Sequence, residues 1–137
     1  GCDLSNTVWG GAKLTSARFE KCRMTGASLT QCHGVGLELE DCALVMADLQ
    51  GLSFRRQTLN NLDMSEADLA RVNFEDCVFQ NCKLRGARLL ETRFQGADLR
   101  AVDMGVITLD QATTLKGAII SKDQASSLLA GFGLQVL

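Results

Sequence analysis

From Leu4 to Met104 every fifth residue is large and apolar, as in Leu4, Trp9, Leu14, Phe19, Met24 and Leu29, and 20 of the 21 positions conform; Gly34 is the exception. A second register lies two positions before each of these. All six cysteines, Cys2, Cys22, Cys32, Cys42, Cys77 and Cys82, occupy it. Chance would place six residues in one of five registers about once in three thousand sequences, so internal repetition governs the chain. Alanine fills this register at Ala12, Ala17, Ala27, Ala47, Ala67, Ala87 and Ala97, whereas Leu37, Leu52, Leu62 and the amide Gln57 are oversized for it. Every charged residue up to Asp103 falls in the other three registers.

Neither ordinary period produces this pattern, because a helix repeats its apolar positions near 3.6 residues and a strand near 2. A solenoid whose chain turns a corner every five residues does, with one large and one small side chain pointing inward and three outward. Segments such as ARFEK, CRMTG, ASLTQ, CVFQN, CKLRG, TRFQG and ADLRA resemble pentapeptide repeats, uninterrupted over about residues 2 to 109. The resemblance implies an all-β solenoid, a right-handed quadrilateral β-helix with four pentapeptides, or twenty residues, per coil.

The twenty-residue period is supported by the sequence itself. Phe54, Phe74 and Phe94 form one column, and Leu4, Met24, Leu44, Met64, Leu84 and Met104 form another. About five coils at the strand spacing of roughly 4.8 Å would make a rod near 25 Å long. The expected division is a β-helix over 1–109 and a C-terminal segment over 110–137.

At 137 residues the chain is long enough for one domain with a real core. It has no apolar stretch of membrane-spanning length and no recognisable leader, so a soluble, cytoplasmic protein is expected. Gly1-Cys2 is not a natural start, and the chain is expected to be a fragment or a processed product. The net charge of -2 gives neither a basic nucleic-acid footprint nor a polyanionic surface.

Six cysteines invite a disulfide or metal reading, but their spacing argues against both. Stacked thiols have parallel Cβ vectors that suit a disulfide poorly, and they do not converge as metal ligands do. We read them as small buried fillers. No cofactor or metal is expected. With one histidine, His33, placed outward by register, no catalytic set and no phosphate loop, the chain is not expected to be an enzyme.

The departures from the repeat carry their own expectations. Leu37 and Leu52 are placed to fill the space left by Gly34, and Gln57 either bonds corner backbone or marks a local opening of the coil. Glycine and asparagine in the last register, at Gly11, Gly26, Gly36 and Asn61 among others, suit the corners. Beyond Met104 the grammar changes. Ser121 and Gln124 form a capping box for a helix over about 122–130 that ends near Gly131, and a strand-like tail is expected over Leu134–Leu137. The helix would cover the open solenoid end. Its surplus apolar residues, Leu128, Leu129, Phe132, Leu134, Val136 and Leu137, are candidates for a homodimer interface.

ARFEKCRMTGASL, GLELEDC, EADLARVNFEDCVF, GARLLETRFQGADL and the ending QASSLLAGFGLQVL are similar to the Qnr-like, topoisomerase-protecting group of pentapeptide proteins. That resemblance implies a C-terminally joined dimer presenting a DNA-like acidic surface to DNA gyrase, without direct nucleic-acid or membrane binding. The unbroken coil lacks the loop insertions of that group. Duplex DNA of about 25 Å carries about fifteen negative charges, so any mimicry here has to be local. The acidic candidates are Glu20, Glu38, Glu40 and Asp41, and on neighbouring faces Asp48, Asp63, Glu66 and Asp68. Arg55, Arg56, Arg85, Arg88 and Arg93 interrupt any continuous stripe. The alternative is a scaffold for another protein partner.

Overall fold

The computed structural model describes residues 1–32 and 34–137; the outward placement expected of His33 lies outside the described residues. The chain winds as a square coil of parallel strands. One face carries β1 (Arg18–Glu20), β2 (Glu38–Glu40), β3 (Thr58–Asn60) and β4 (Val78–Gln80), stacked in that order. Their register is the expected twenty residues, with Arg18 opposite Glu38, Glu40 opposite Asn60 and Thr58 opposite Val78. Isolated parallel bridges such as Asp3 with Arg23, Val8 with Ser28 and Ser53 with Asn73 hold the other faces at the same spacing. Late in the chain β5 (Cys82–Lys83) and β6 (Val102–Asp103) form a second pair.

Corners recur because the fifth register is left-handed from Asn6 to Gly96. Glycine adopts positive φ there at Gly26 (70°) and Gly96 (72°), but so do Lys21 (55°), Met46 (57°), Arg56 (64°) and Glu66 (57°). Most corners are four-residue turns, closed for example by the Ala27 N–H donating to the Met24 carbonyl at 3.0 Å, whereas those after β1–β4, at Lys21, Asp41, Asn61 and Asn81, are bends without that bond. A left-handed third residue is what type II turns require. Fold geometry therefore overrides residue preference at these positions.

Inside, the phenylalanine column stacks as the period predicts. The rings of Phe54 and Phe74 lie 5.7 Å apart, and those of Phe74 and Phe94 5.3 Å apart, each pair inclined by 14°. Cys22, Cys42, Cys77 and Cys82 are buried free thiols, whereas Cys32 is half-buried and Cys2 exposed. The small register suits cysteine for a reason beyond volume. The Cys77 thiol donates to the Phe54 carbonyl at 2.8 Å and the Cys82 thiol to the Leu59 carbonyl at 3.3 Å, both 23 residues back in the coil below. Thr92 occupies the same register and bonds the Leu69 carbonyl identically, at 2.8 Å. Burial pushes the Cys77 thiol up to about 11. Gln57 follows the bland expectation, its side-chain amide donating to the Leu37 carbonyl at 3.0 Å.

At Gly34 the missing side chain is replaced by its neighbours. A Cβ there would lie 3.2 Å from Leu52 Cδ2 and 3.6 Å from Leu37 Cδ2, so the two oversized leucines have filled the space.

The C-terminal segment differs from expectation in two respects. A short helix, α1 (Leu109–Ala112), with a 3-10 turn over Thr113–Leu115, follows the last full coil; neither was expected. Both are too short to show a periodic pattern. The chain then rejoins the solenoid, where the Leu99 N–H donates to the Ile119 carbonyl at 2.8 Å and Ile119 bridges Asp98 at a separation of 21 rather than 20. The second helix, α2 (Lys122–Gly131), starts at the expected Ser121–Gln124 capping box. Gln124 also donates to the Leu99 carbonyl at 2.7 Å and the Val102 carbonyl at 2.9 Å, fastening the helix to acceptors of the last coil.

The expected strand over Leu134–Leu137 does not form. Gly133 turns left-handed (φ 84°) and the Leu134 N–H folds back onto the Leu129 carbonyl at 3.0 Å, while the coil edge beside it is already taken by Gly117–Ile119 and Gln124.

Two outcomes follow for stability and reactivity. Gly34→Leu should lower the unfolding free energy by about 1–3 kcal/mol, because it overpacks an occupied space; denaturant melts measure this. In native protein a thiol reagent should label Cys2 at once and Cys32 slowly, and should reach the four buried thiols only on unfolding, with no change in melting temperature on adding chelator.

Candidate interaction surface

Aspartate recurs in the first outward register, at positions 3, 48, 63, 68, 98 and 103, and the structure explains why. Each carboxylate accepts the backbone N–H two residues on, an Asx turn that braces the coming corner. Asp48 accepts from Gln50 N–H at 3.2 Å, Asp63 from Ser65 N–H at 3.1 Å and Asp68 from Ala70 N–H at 3.1 Å. Three of the acidic candidates are thus corner-bracing groups first. Their shared register was visible in the sequence, but the sequence reading took them only as surface charge.

The other candidates sit differently. Glu20, Glu38 and Glu40 on β1 and β2 surround the Arg18 guanidinium, at 3.7, 3.7 and 2.5 Å. Asp41 accepts from the Asn61 amide at 2.7 Å. The three carboxylates converge on Arg18, with Arg56 lining the groove beside Glu38 and Glu40 and Lys21 offsetting Asp41 at the adjoining corner. Glu66 is exposed at a corner, and its carboxylate has no hydrogen bond or ion pair among the described residues.

Elsewhere carboxylates and arginines alternate up the columns and pair between coils. Arg88 reaches Asp68 at 3.0 Å, Arg93 reaches Glu75 at 3.4 Å and Arg85 reaches Asp103 at 3.2 Å. Arg55 adds a second, longer contact to Glu75 at 3.9 Å, whereas Arg56 lines a shallow groove with Arg18, Glu38 and Glu40. The surface is therefore of mixed sign beyond the Arg18 patch. Such exposed pairs contribute little each, typically about 0–1 kcal/mol.

At the C-terminal end the candidate dimer residues divide. Leu128 and Phe132 are half-buried, with Leu128 packed on the core. Leu129, Leu134, Val136 and Leu137 are exposed. Val106, Leu109 and Ile119 are exposed as well and were missed, although an apolar residue in the corner register at position 106 was a readable signal. A groove of about 360 Å³ runs between the last coil and α2, lined by Val102, Met104, Val106, Ile107 and Leu128 with Asp123 and Ser127.

The family pattern of pentapeptide repeats matches in eight copies over residues 1–31, 38–76 and 73–105, skipping the stretch around Gly34. The chain is a pentapeptide-repeat protein. As in that family, the coil is a right-handed quadrilateral β-helix. This pentapeptide-repeat protein is similar in fold to a trypsin-treated variant of QnrB1, a plasmid-mediated fluoroquinolone resistance protein. The TM-score is 0.61 at 18% identity, and the match covers 100% of this chain and 66% of that one. Two further structures give lower scores. A pentapeptide-repeat protein of the Arabidopsis thaliana thylakoid lumen has TM-score 0.41 and 20% identity, covering 98% and 90% of the two chains. Rfr23 of the cyanobacterium Cyanothece 51142 has TM-score 0.45 and 15% identity, covering 88% of each. No curated protein shows a significant sequence match. Among the described residues no helix is long and apolar enough to cross a membrane.

The Asp98 corner brace makes stability depend on acid. The Arg100 side chain and then its backbone N–H hold Asp98 down to about 2, below the usual carboxylate value of about 3.9. A depressed folded-state value contributes stability that is present above about pH 4 and lost as pH falls toward about 2. Asp98→Asn should therefore melt below the wild type at neutral pH, and the gap should close between about pH 4 and 2 in thermal melts.

Proposed function

We propose that this chain is a non-catalytic, cytoplasmic protein-binding rod, dimeric through its C-terminal end, whose partner is DNA gyrase or a related topoisomerase. The observation that carries this reading is the cluster of Glu20, Glu38 and Glu40 about Arg18 on the flat strand-bearing face, where Arg56 is the other cation lining the groove. Three carboxylates at strand spacing offer a local imitation of the regular phosphate charge of a duplex, which is where a DNA-binding enzyme places cationic side chains. The filled core supports a non-catalytic role. Leu129, Leu134, Val136 and Leu137 supply the exposed apolar surface for the dimer.

A second reading, a scaffold for some other protein, is favoured by the inter-coil ion pairs. Asp68–Arg88 and Glu75–Arg93 neutralise acidic groups that a longer DNA-like stripe would leave free.

Gyrase supercoiling with and without a fluoroquinolone decides between them. The topoisomerase reading expects altered supercoiling or relief of drug inhibition, weakened on the order of tenfold by joint Glu38→Lys and Glu40→Lys substitution. Purified protein that neither binds gyrase nor changes either activity overturns it, and a stable partner of another kind then supports the scaffold.

A further inference from the structure

The wall opposite β1–β4 loses a rung where α1 leaves it. In the coils below, the same two amides of that wall bond upward. The Leu49 N–H donates to the Asp68 carbonyl at 3.0 Å and the Gly51 N–H to the Ala70 carbonyl at 3.1 Å. One coil higher, the Leu69 N–H donates to the Arg88 carbonyl and the Arg71 N–H to the Leu90 carbonyl, both at 2.9 Å. Carried up once more, the register points the N–H groups of Leu89 and Glu91 at the carbonyls of Thr108 and Asp110. Those carbonyls have turned into the helix, where Thr108 accepts from the Ala112 N–H at 2.9 Å and Asp110 from the Thr113 hydroxyl at 2.7 Å. Among the described residues neither the Leu89 nor the Glu91 N–H has an acceptor.

The acceptor of the same rung is covered. By register the Thr108 N–H would reach the Ala87 carbonyl, but Gln111 Oε1 accepts it at 3.1 Å, and Gln111 Nε2 donates to Ala87 in its place at 3.4 Å. What is left is a short edge that offers donors. A groove of about 480 Å³ lies between it and the α1 turn, lined by Leu89, Leu90, Glu91, Asp110, Gln111 and Thr114. At strand dimensions of roughly 3.3 by 4.8 by 10 Å per residue, that is room for about three residues, the length of the missing rung.

We propose that this groove is a peptide-docking edge, in which an extended segment of a partner protein, alternating apolar and basic residues, supplies the missing strand. Two N–H groups two residues apart call for carbonyls at strand spacing, which an added strand provides. A small anion would satisfy the same donors, but the carboxylates of Glu91 and Asp110 oppose it. Neither carboxylate has an ion pair among the described residues, whereas Arg88 at the rim is engaged by Asp68 at 3.0 Å. Charge therefore selects a cationic segment. Strand alternation turns every second side chain of that segment inward over Leu89 and the others toward the outer wall, where Leu90 and Glu91 are exposed. The site lies half a coil round from the Arg18 face and is independent of what binds there.

Backbone-amide NMR of the whole chain tests this with acetylated, amidated hexapeptides that alternate lysine with valine or glutamate with valine. In the free protein the Leu89 and Glu91 amides should exchange with solvent on the order of tenfold or more faster than their bonded counterparts Leu69 and Arg71. The lysine peptide should shift and protect both amides, and the glutamate peptide should do neither. Glu91 sits at a left-handed corner of the kind that Lys21 and Arg56 also occupy, so Glu91→Lys should remain folded in circular dichroism melts. It should bind the lysine peptide on the order of tenfold more weakly. Amides of Leu89 and Glu91 already protected in the free protein overturn the proposal, because the edge is then filled. So does a lysine peptide that leaves both unshifted, including one that binds only at Glu20, Glu38 and Glu40. An equal response to the two peptides, or unchanged binding by Glu91→Lys, overturns it as well. Acetate or phosphate that shifts both amides as strongly as the lysine peptide makes the edge an anion site and overturns the added strand.

Discussion

A square coil exists because one backbone position in five is left-handed. Each such residue redirects the chain by a quarter turn, and four return it to its starting direction, one strand spacing higher. For residues other than glycine the left-handed state costs about 1–2 kcal/mol, and the chain accepts it at Lys21, Arg56, Glu66 and Arg71 among others. What offsets the cost is a set of local gains: the turn hydrogen bond at most corners, the Asx acceptor where aspartate precedes it, and parallel bonds to the coils above and below. Without the corners there is no enclosed interior, and without the interior the five-residue apolar pattern has nothing to fill.

Most of the fold was legible because that constraint is local and repeats without slippage. A fixed five-residue step assigns each side chain to inside or outside by arithmetic, which located the phenylalanine stack, the leucines that fill the space at Gly34, and the bonded Gln57. Arithmetic fails where the step does. The helix at Leu109–Ala112 and the 21-residue return to Ile119 lie past the last regular repeat, where propensity alone is weak over four residues. The tail at Leu134–Leu137 has an apolar, strand-like composition, but a strand also needs a free edge, and Gln124 and Gly117–Ile119 have closed the one beside it.

The surface was less legible than the core, for a related reason. Register fixes where an aspartate points but not what its oxygens accept. Asp48, Asp63 and Asp68 looked like free charge and are engaged with backbone N–H groups two residues away. Glu20, Glu38 and Glu40, on longer side chains and on a flat strand face, converge on Arg18 instead. The same residue class therefore serves the architecture in one register and shapes the exterior potential in another.

The strict twenty-residue register also says how a molecule of this kind can change length. Removing or duplicating one whole circuit leaves every column aligned, whereas losing a single residue inside a face throws the stack above it out of step. The one extra residue between Asp98 and Ile119 is accommodated because the intervening chain leaves the wall as a helix and returns at the next available position. Insertions are thus tolerated as excursions from a corner, and the shaft itself lengthens only in whole storeys.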